Sequence, residues 1–298
     1  MPFFNSSIDS TRLFYRDYVP DGKGFKMQAG RASKLTLVFL HGWPMSSKMF
    51  EHLIVPLCET YQFRCIAPDR RGFGSSDWTD ASKGKTTDWS TFAGDVAQLL
   101  ETLAVGDFVF VAASMGCTES VLAYHSSQYI SQHCKGFVWI GLAMPFPLQT
   151  PEHPLSPTQE LWDSILQGLR DNRPAFVTES LPGVFAMHAG NQVHPKTLEY
   201  YEQIVSEAHG VAIEKTVAIF TQASDKQLTK LAESAEMIPI LALHGDSDQG
   251  MPLEAGATIV KEMLPWADLR VYKNAGHGLY LTHAQQVIDD LVKFVDGI

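Results

Sequence analysis

The sequence predicts an α/β fold: a mostly parallel sheet with helices on both faces, interrupted by one helical insertion. Three observations predict it. Apolar runs occur at Leu35–Leu40, Phe108–Val111, Gly136–Met144 and Ile238–Leu243, with a short strand at Phe63–Pro68, as in sheets buried on both faces. Segments with apolar residues at helical spacing separate most of them. From Pro145 to about Met237 this rhythm stops, and only helical patterns remain. Strands alternating with helices imply right-handed crossovers and a parallel sheet. The chain has 298 residues, 45% of them hydrophobic. That is enough for one large core with an inserted subdomain. The expected division is a core of residues 1–144 and 238–298 and a helical lid of residues 145–237.

Taken in order, Ser10–Val19 alternates weakly and reads as an edge strand. Asp21–Lys34 is a polar connection with three glycines. The strand Leu35–Leu40 ends in His41-Gly-Trp-Pro44, and a helix over Ser46–Tyr61 carries Phe50, Leu53, Ile54 and Leu57 on one face. The strand Phe63–Pro68 runs into Asp69-Arg-Arg-Gly-Phe-Gly74. Phe92, Val96, Leu99, Leu100 and Leu103 mark the next helix. The run Phe108–Val111 breaks at Ala112-Ala-Ser-Met-Gly116, and a helix is expected over Thr118–Ser126. In the insertion, Ser156-Pro-Thr-Gln159 reads as an N-cap, a first-turn proline and a capping-box glutamine. Leu161, Ile165, Leu166 and Leu169 continue that helix, and others are expected at Pro195–His209, Val211–Gln222 and Asp225–Ala235. Past the strand Ile238–Leu243 come a helix over Pro252–Leu264, a strand over Leu269–Lys273 and a last helix carrying Val287, Ile288, Leu291, Val292 and Val295.

The totals exclude several functions. Net charge is −10 with no basic cluster, which argues against nucleic-acid or anionic-membrane partners. The N-terminus lacks a secretory pattern, and no apolar run reaches a membrane span. Cys58, Cys65, Cys117 and Cys134 show neither metal nor disulfide spacing. Free thiols in a reducing cytosol are expected, so the expected location is cytoplasmic. The composition leaves homo-oligomerisation open.

Chemistry is expected beyond the carboxyl ends of parallel strands, and four such ends carry suggestive residues. Ser114 sits between strand and helix in a turn so tight that its backbone is strained and its hydroxyl exposed. Such a turn needs small residues two before and two after, and Ala112 and Gly116 supply them. The turn also delivers the Met115 N–H toward developing negative charge. At a second end, Gly42 allows a sharp loop that aims the Trp43 N–H at the same oxyanion, and Pro44 favours an extended Trp43; His41 reads as structural. The third end, His244-Gly-Asp-Ser-Asp248, offers two carboxylates, Asp246 and Asp248, with His244 a satisfied core histidine. The fourth, Asn274-Ala-Gly-His-Gly278, places His277 between glycines. The order serine, acid, histidine on an alternating β/α chain suits nucleophilic catalysis, because a serine hydroxyl needs an adjacent base.

These stretches resemble the α/β-hydrolase fold over nearly the whole chain. The sequence is most similar to the cofactor-free (non-haem) haloperoxidase, aryl esterase and perhydrolase group. The resemblance rests on His41-Gly-Trp-Pro44, Asp69–Asp77, Thr91–Asp95, Asp171–Phe176, His244–Asp248 and His277–His283. It implies Ser114 as nucleophile, His277 as base and Asp248 as acid, with an oxyanion hole from Trp43 and Met115. Two departures stand out. The group usually reads Gly-Phe-Ser-Met-Gly-Gly at the elbow, where this chain has Ala112-Ala-Ser-Met-Gly-Cys117. Ala113 and Cys117 are therefore expected to reshape the floor of the site. The loop Gly250-Met-Pro252 also lacks the β-branched residue usual before that proline.

The expected activity is that of a serine hydrolase on a small-molecule carboxylic ester or lactone, with no metal or organic cofactor. Trp162, Phe176, Phe185 and Met187 are candidates for a mostly apolar pocket under the helical lid. Two rival readings are a perhydrolase, with peroxide replacing water, and a ligand-binding receptor with little turnover. Epoxide hydrolases and haloalkane dehalogenases need an aspartate where this chain has Ser114.

Overall fold

A computed structural model describes residues 2–21, 35–79, 87–234 and 237–298. The polar connection expected at Asp21–Lys34 lies, after Asp21, outside them. The strands are β1 (Phe3–Asn5), β2 (Arg12–Tyr18), β3 (Thr36–Leu40), β4 (Arg64–Pro68), β5 (Phe108–Ala113), β6 (Cys134–Ile140), β7 (Ile240–Gly245) and β8 (Asp268–Tyr272). They form one sheet in the order β1-β2-β4-β3-β5-β6-β7-β8. Pairing is antiparallel for β1 with β2 and β2 with β4, and parallel from β4 to β8. The segment expected at the edge, β2, is covered by β1, whose three residues are too few to leave a periodic signal.

The helices are α1 (Glu51–Glu59), α2 (Trp89–Thr102), α3 (Met115–Ser126), α4 (Gln128–His133), α5 (Gln159–Val184), α6 (Pro195–Ser206), α7 (Gly210–Phe220), α8 (Asp225–Ala232), α9 (Ala257–Met263), α10 (Leu279–Thr282) and α11 (Ala284–Val295). Side chains alternate across a strand, and the core divides accordingly. Leu37, Phe39, Val109 and Val111 join α1 and α11 on one face. Val38, Leu40, Phe108 and Phe110 join α2, α3 and α9 on the other. Each fully buried aliphatic or aromatic side chain there contributes about 1.5–3 kcal/mol. The strands thus read as unbroken apolar runs because both faces are covered.

Several boundaries differ from expectation. The first helix begins as a 3-10 turn over Ser47–Phe50. The β6 strand stops at Ile140, because Gly141 takes φ +57°. The cap of α5 is Thr158, whose hydroxyl accepts from Leu161 N–H at 3.2 Å, while the Ser156 hydroxyl is buried without a partner among the described residues. Extended backbone at Thr158 aims its oxygen along the helix, two residues later than the sequence pattern suggests. α5 also runs on to Val184 across a break at Asn172, two residues before Pro174. Pro252–Gly256 form turns rather than the first turn of α9. α8 ends at Ala232, and Ala235 is not described. Four helices, α5–α8, lie between β6 and β7, with no sheet strand among the described residues there.

Candidate active site

Ser114 occupies the junction of β5 and α3 with φ 55° and ψ −122°, a conformation that costs a non-glycine residue about 1–3 kcal/mol. The surroundings hold it there. Its N–H bonds Ile140 O at 3.0 Å, and its carbonyl accepts from Cys117 N–H at 3.0 Å. Its hydroxyl makes no capping bond to α3. The small neighbours are a geometric necessity. A Cβ on Gly116 would lie 2.3 Å from the Leu40 carbonyl oxygen, and Ala112 is fully buried.

The loop after β3 meets the elbow closely: a Cβ on Gly42 would stand 3.1 Å from that of Ser114. Trp43 follows, joined to Pro44 by a cis peptide. Neither the Trp43 N–H nor the Met115 N–H has a hydrogen-bond partner among the described residues. Met115 opens a helix of 12 residues, whose N-terminal end carries partial positive charge. Arg70 braces the loop from behind. Its side chain donates to the His41 carbonyl at 2.8 Å, and its N–H donates to His41 Nε2 at 2.9 Å. Its guanidinium pairs with buried Glu119 of α3.

His277 lies just before α10. Its Nδ1 is 2.7 Å from Asp248 Oδ2. The His277 side chain is 22% exposed and the Asp248 side chain 0%. Asp248 Oδ1 accepts the N–H groups of Gly250 and Met251, both at 2.9 Å. These bonds fix the carboxylate, so Nδ1 carries the proton and Nε2 is the free lone pair. Burial would raise the Asp248 pKa, but the imidazole charge and bonds of His277 hold it below the ordinary value. Burial would lower the His277 pKa, but the Asp248 charge and hydrogen bond lift it above the ordinary value. Asp246 is exposed and accepts a bond from Ser247 instead.

The two other strand-end histidines are tied up. His41 accepts from Arg70 at Nε2 and donates from Nδ1 to Gly42 O at 2.9 Å. His244 accepts from Leu142 N–H at Nδ1 and donates from Nε2 to Met251 O at 2.9 Å. Burial lowers both pKa values, with the Arg70 charge adding to the effect at His41. Neither ring has a nitrogen left for a base.

Ser114 and His277 open onto one cavity of about 420 Å³, which Trp43, Trp162 and Phe176 also line. Phe185 and Met187 do not line it. Phe185 is fully buried, edge-on to Tyr201 at 5.0 Å between ring centres, and its α5 neighbour Val184 takes the wall position. Met187 packs against the same core cluster. Ala113 and Cys117 also lie off the cavity, which corrects the expectation that they shape its floor. Both are buried, and the Cys117 thiol points back to Ala112 O at 3.3 Å, because side chains one turn into α3 face the sheet. Sequence reasoning missed Phe220 and Met251 on the wall; the only signal for Met251 was its unusual place before Pro252.

Among the described residues no group of three or more His, Cys, Asp or Glu is placed to hold a metal ion. No helix among them is long and apolar enough to cross a membrane.

A profile of the alpha/beta hydrolase fold matches residues 36–284. The chain belongs to the alpha/beta hydrolase fold family. It is similar to a non-heme haloperoxidase of Rhodococcus erythropolis, 27% identical with 100% of both chains covered. It is also similar to a bifunctional esterase/perhydrolase of Acinetobacter calcoaceticus, 28% identical over 96% of this chain and 97% of the other. Among solved structures, a bromoperoxidase from Bacillus anthracis superposes with a TM-score of 0.83 at 27% identity, covering 99% of each chain.

Proposed function

We propose that this protein is a serine hydrolase that cleaves a carboxylic ester or lactone through an acyl-enzyme. The observation that carries the reading is Ser114, held at φ 55° with its side chain on the same cavity as His277, whose Nδ1 is bound to buried Asp248. Ser114 Oγ attacks the carbonyl carbon while His277 Nε2 takes its proton. The tetrahedral oxyanion receives the N–H groups of Trp43 and Met115. Each such donor is worth about 10²–10³ in rate. Collapse breaks the bond to the alkoxy group, which leaves with the proton from His277. Water, deprotonated by His277, then releases the acid and restores Ser114. Asp248 stays ionised and holds the imidazole in the useful tautomer. In this reading α5–α8 form a lid over the site, since Trp162, Phe176 and Phe220 close the cavity from that side.

The test is labelling by a fluorophosphonate together with nitrophenol release from short acyl esters. Ser114→Ala is expected to fold, to lose labelling and to lose about 10⁴-fold or more of the rate. Persistent labelling in the variant would exclude Ser114 as nucleophile. Undetectable turnover in the parent would favour a ligand-binding role. A second reading is favoured by the relatives named haloperoxidase and esterase/perhydrolase: hydrogen peroxide replaces water and the acyl-enzyme yields a peracid. Peracid formation from acetate and peroxide, measured beside ester hydrolysis, separates the two.

A further inference from the structure

The wall of the cavity carries more information than its reactive groups. None of its described lining residues is Asp, Glu, Lys or Arg, and Ser114, Ser180, Gln249 and His277 are its polar side chains. The Ser180 hydroxyl is already spent on Phe176 O at 2.7 Å. Gln249 is exposed, so away from His277 and Ser114 the interior presents apolar surface. That surface comes from two separate clusters. Leu169, Val177, Leu181 and Val205 belong to the large core cluster, while Phe220 and its neighbour Trp162 belong to a small one.

The aromatic corner is rigid. Trp162 meets Phe220 edge-on at 5.0 Å, and both meet Trp43, at 6.2 and 5.5 Å. Each indole is pinned by its N–H: Trp43 donates to Ile213 O and Trp162 to Pro147 O, both at 3.0 Å. The walls therefore do not depend on a ligand to form. A preformed, apolar cavity favours burial of methylene groups and penalises a charge that finds no partner.

Size follows from volume. At about 30 Å³ for each water-sized group, a cavity of about 420 Å³ accepts roughly fourteen non-hydrogen atoms. The geometry points to an uncharged ester or lactone with a medium-length, about eight- to ten-carbon, apolar acyl group as the substrate class, and to rejection of esters that carry a second, ionised carboxylate. This inference rests on the hydrolase reading of Ser114 and His277. It goes beyond it by naming what the site selects.

The experiment is a series of ethyl esters of straight-chain acids, from acetate to tetradecanoate, followed by acid release at constant pH. The specificity constant kcat/KM is expected to rise about three- to fourfold per added methylene, with its optimum at octanoate or decanoate. Monoethyl adipate, equal to ethyl octanoate at about a dozen non-hydrogen atoms, is expected to be at least ~100-fold poorer, as befits an unpaired buried carboxylate. Gln249→Arg, which adds a cation at an exposed point of the wall, is expected to narrow that gap at least ~10-fold. An optimum at acetate or butyrate, a series without an optimum, or equal turnover of the adipate monoester overturns the inference while leaving the hydrolase reading intact. Absence of both turnover and fluorophosphonate labelling would instead defeat the hydrolase reading itself.

Discussion

Asp248→Asn exposes the logic of the site most sharply. The substitution is nearly isosteric. The asparagine carbonyl can still accept the N–H groups of Gly250 and Met251, so the turn after β7 is expected to survive. What changes is the atom that faces His277 Nδ1, now 2.7 Å from a carboxylate oxygen. An amide NH₂ there is a donor, so the imidazole must adopt the other tautomer, with its proton on Nε2 and Nδ1 as acceptor. Nε2 then has no lone pair for the Ser114 proton. Lost tautomer and lost countercharge together are worth about 10⁴ in kcat, or about 5.4 kcal/mol of barrier. The pH profile supplies a second readout. In the proposed mechanism catalysis needs neutral His277, and the Asp248 charge raises the pKa of that ring. The acid limb of kcat/KM is therefore expected above the ordinary histidine value of about 6.5 in the parent, and lower in the variant. Esterase assays across pH, with thermal melts to establish folding, decide the matter. Asp246→Asn is the control, since Asp246 is exposed and its carboxylate accepts from its neighbour Ser247. If Asp246→Asn were the crippled variant and Asp248→Asn active, with both folded, the reasoning would be refuted.

Other predictions concern the frame. Gly116→Ala puts a methyl 2.3 Å from the Leu40 carbonyl and is expected to cost about 1–3 kcal/mol, as overpacking does, measured by urea unfolding. Activity should drop further than stability, because the shift opens the elbow at Ser114. Phe185→Ala is expected to cost about 3–5 kcal/mol while leaving the ranking of esters unchanged; Trp162→Ala should reorder that ranking instead. A reordered ranking in the Phe185 variant would contradict its place off the cavity. Arg71→Met strands the carboxylates of Asp9 and Asp95, both paired with Arg71, at about 3–5 kcal/mol. A melt within a few degrees of the parent would show that water replaces the guanidinium.

The two halves of this molecule were unequally legible in its sequence. Strands β3, β5 and β7 announce themselves because both faces of each are buried, so neither face needs polar residues. The ends of β5 and β7 then locate Ser114, Asp246 and Asp248 without reference to three dimensions, His277 follows the less buried β8, and the small residues Ala112 and Gly116 mark the sharp turn through a steric requirement local to the chain. What neighbouring segments do to a side chain is another matter. Asp246 and Asp248 are two residues apart on one loop, and only the approach of the loop before α10 decides which meets His277. Phe176 lies in α5 and Phe185 caps its C-terminal end, yet one faces the cavity and the other packs on Tyr201 of α6. Helical periodicity identifies a face but not what covers it. Cys117 turns into the core for the same reason: the sheet, not the helix, sets which way the first turn of α3 points.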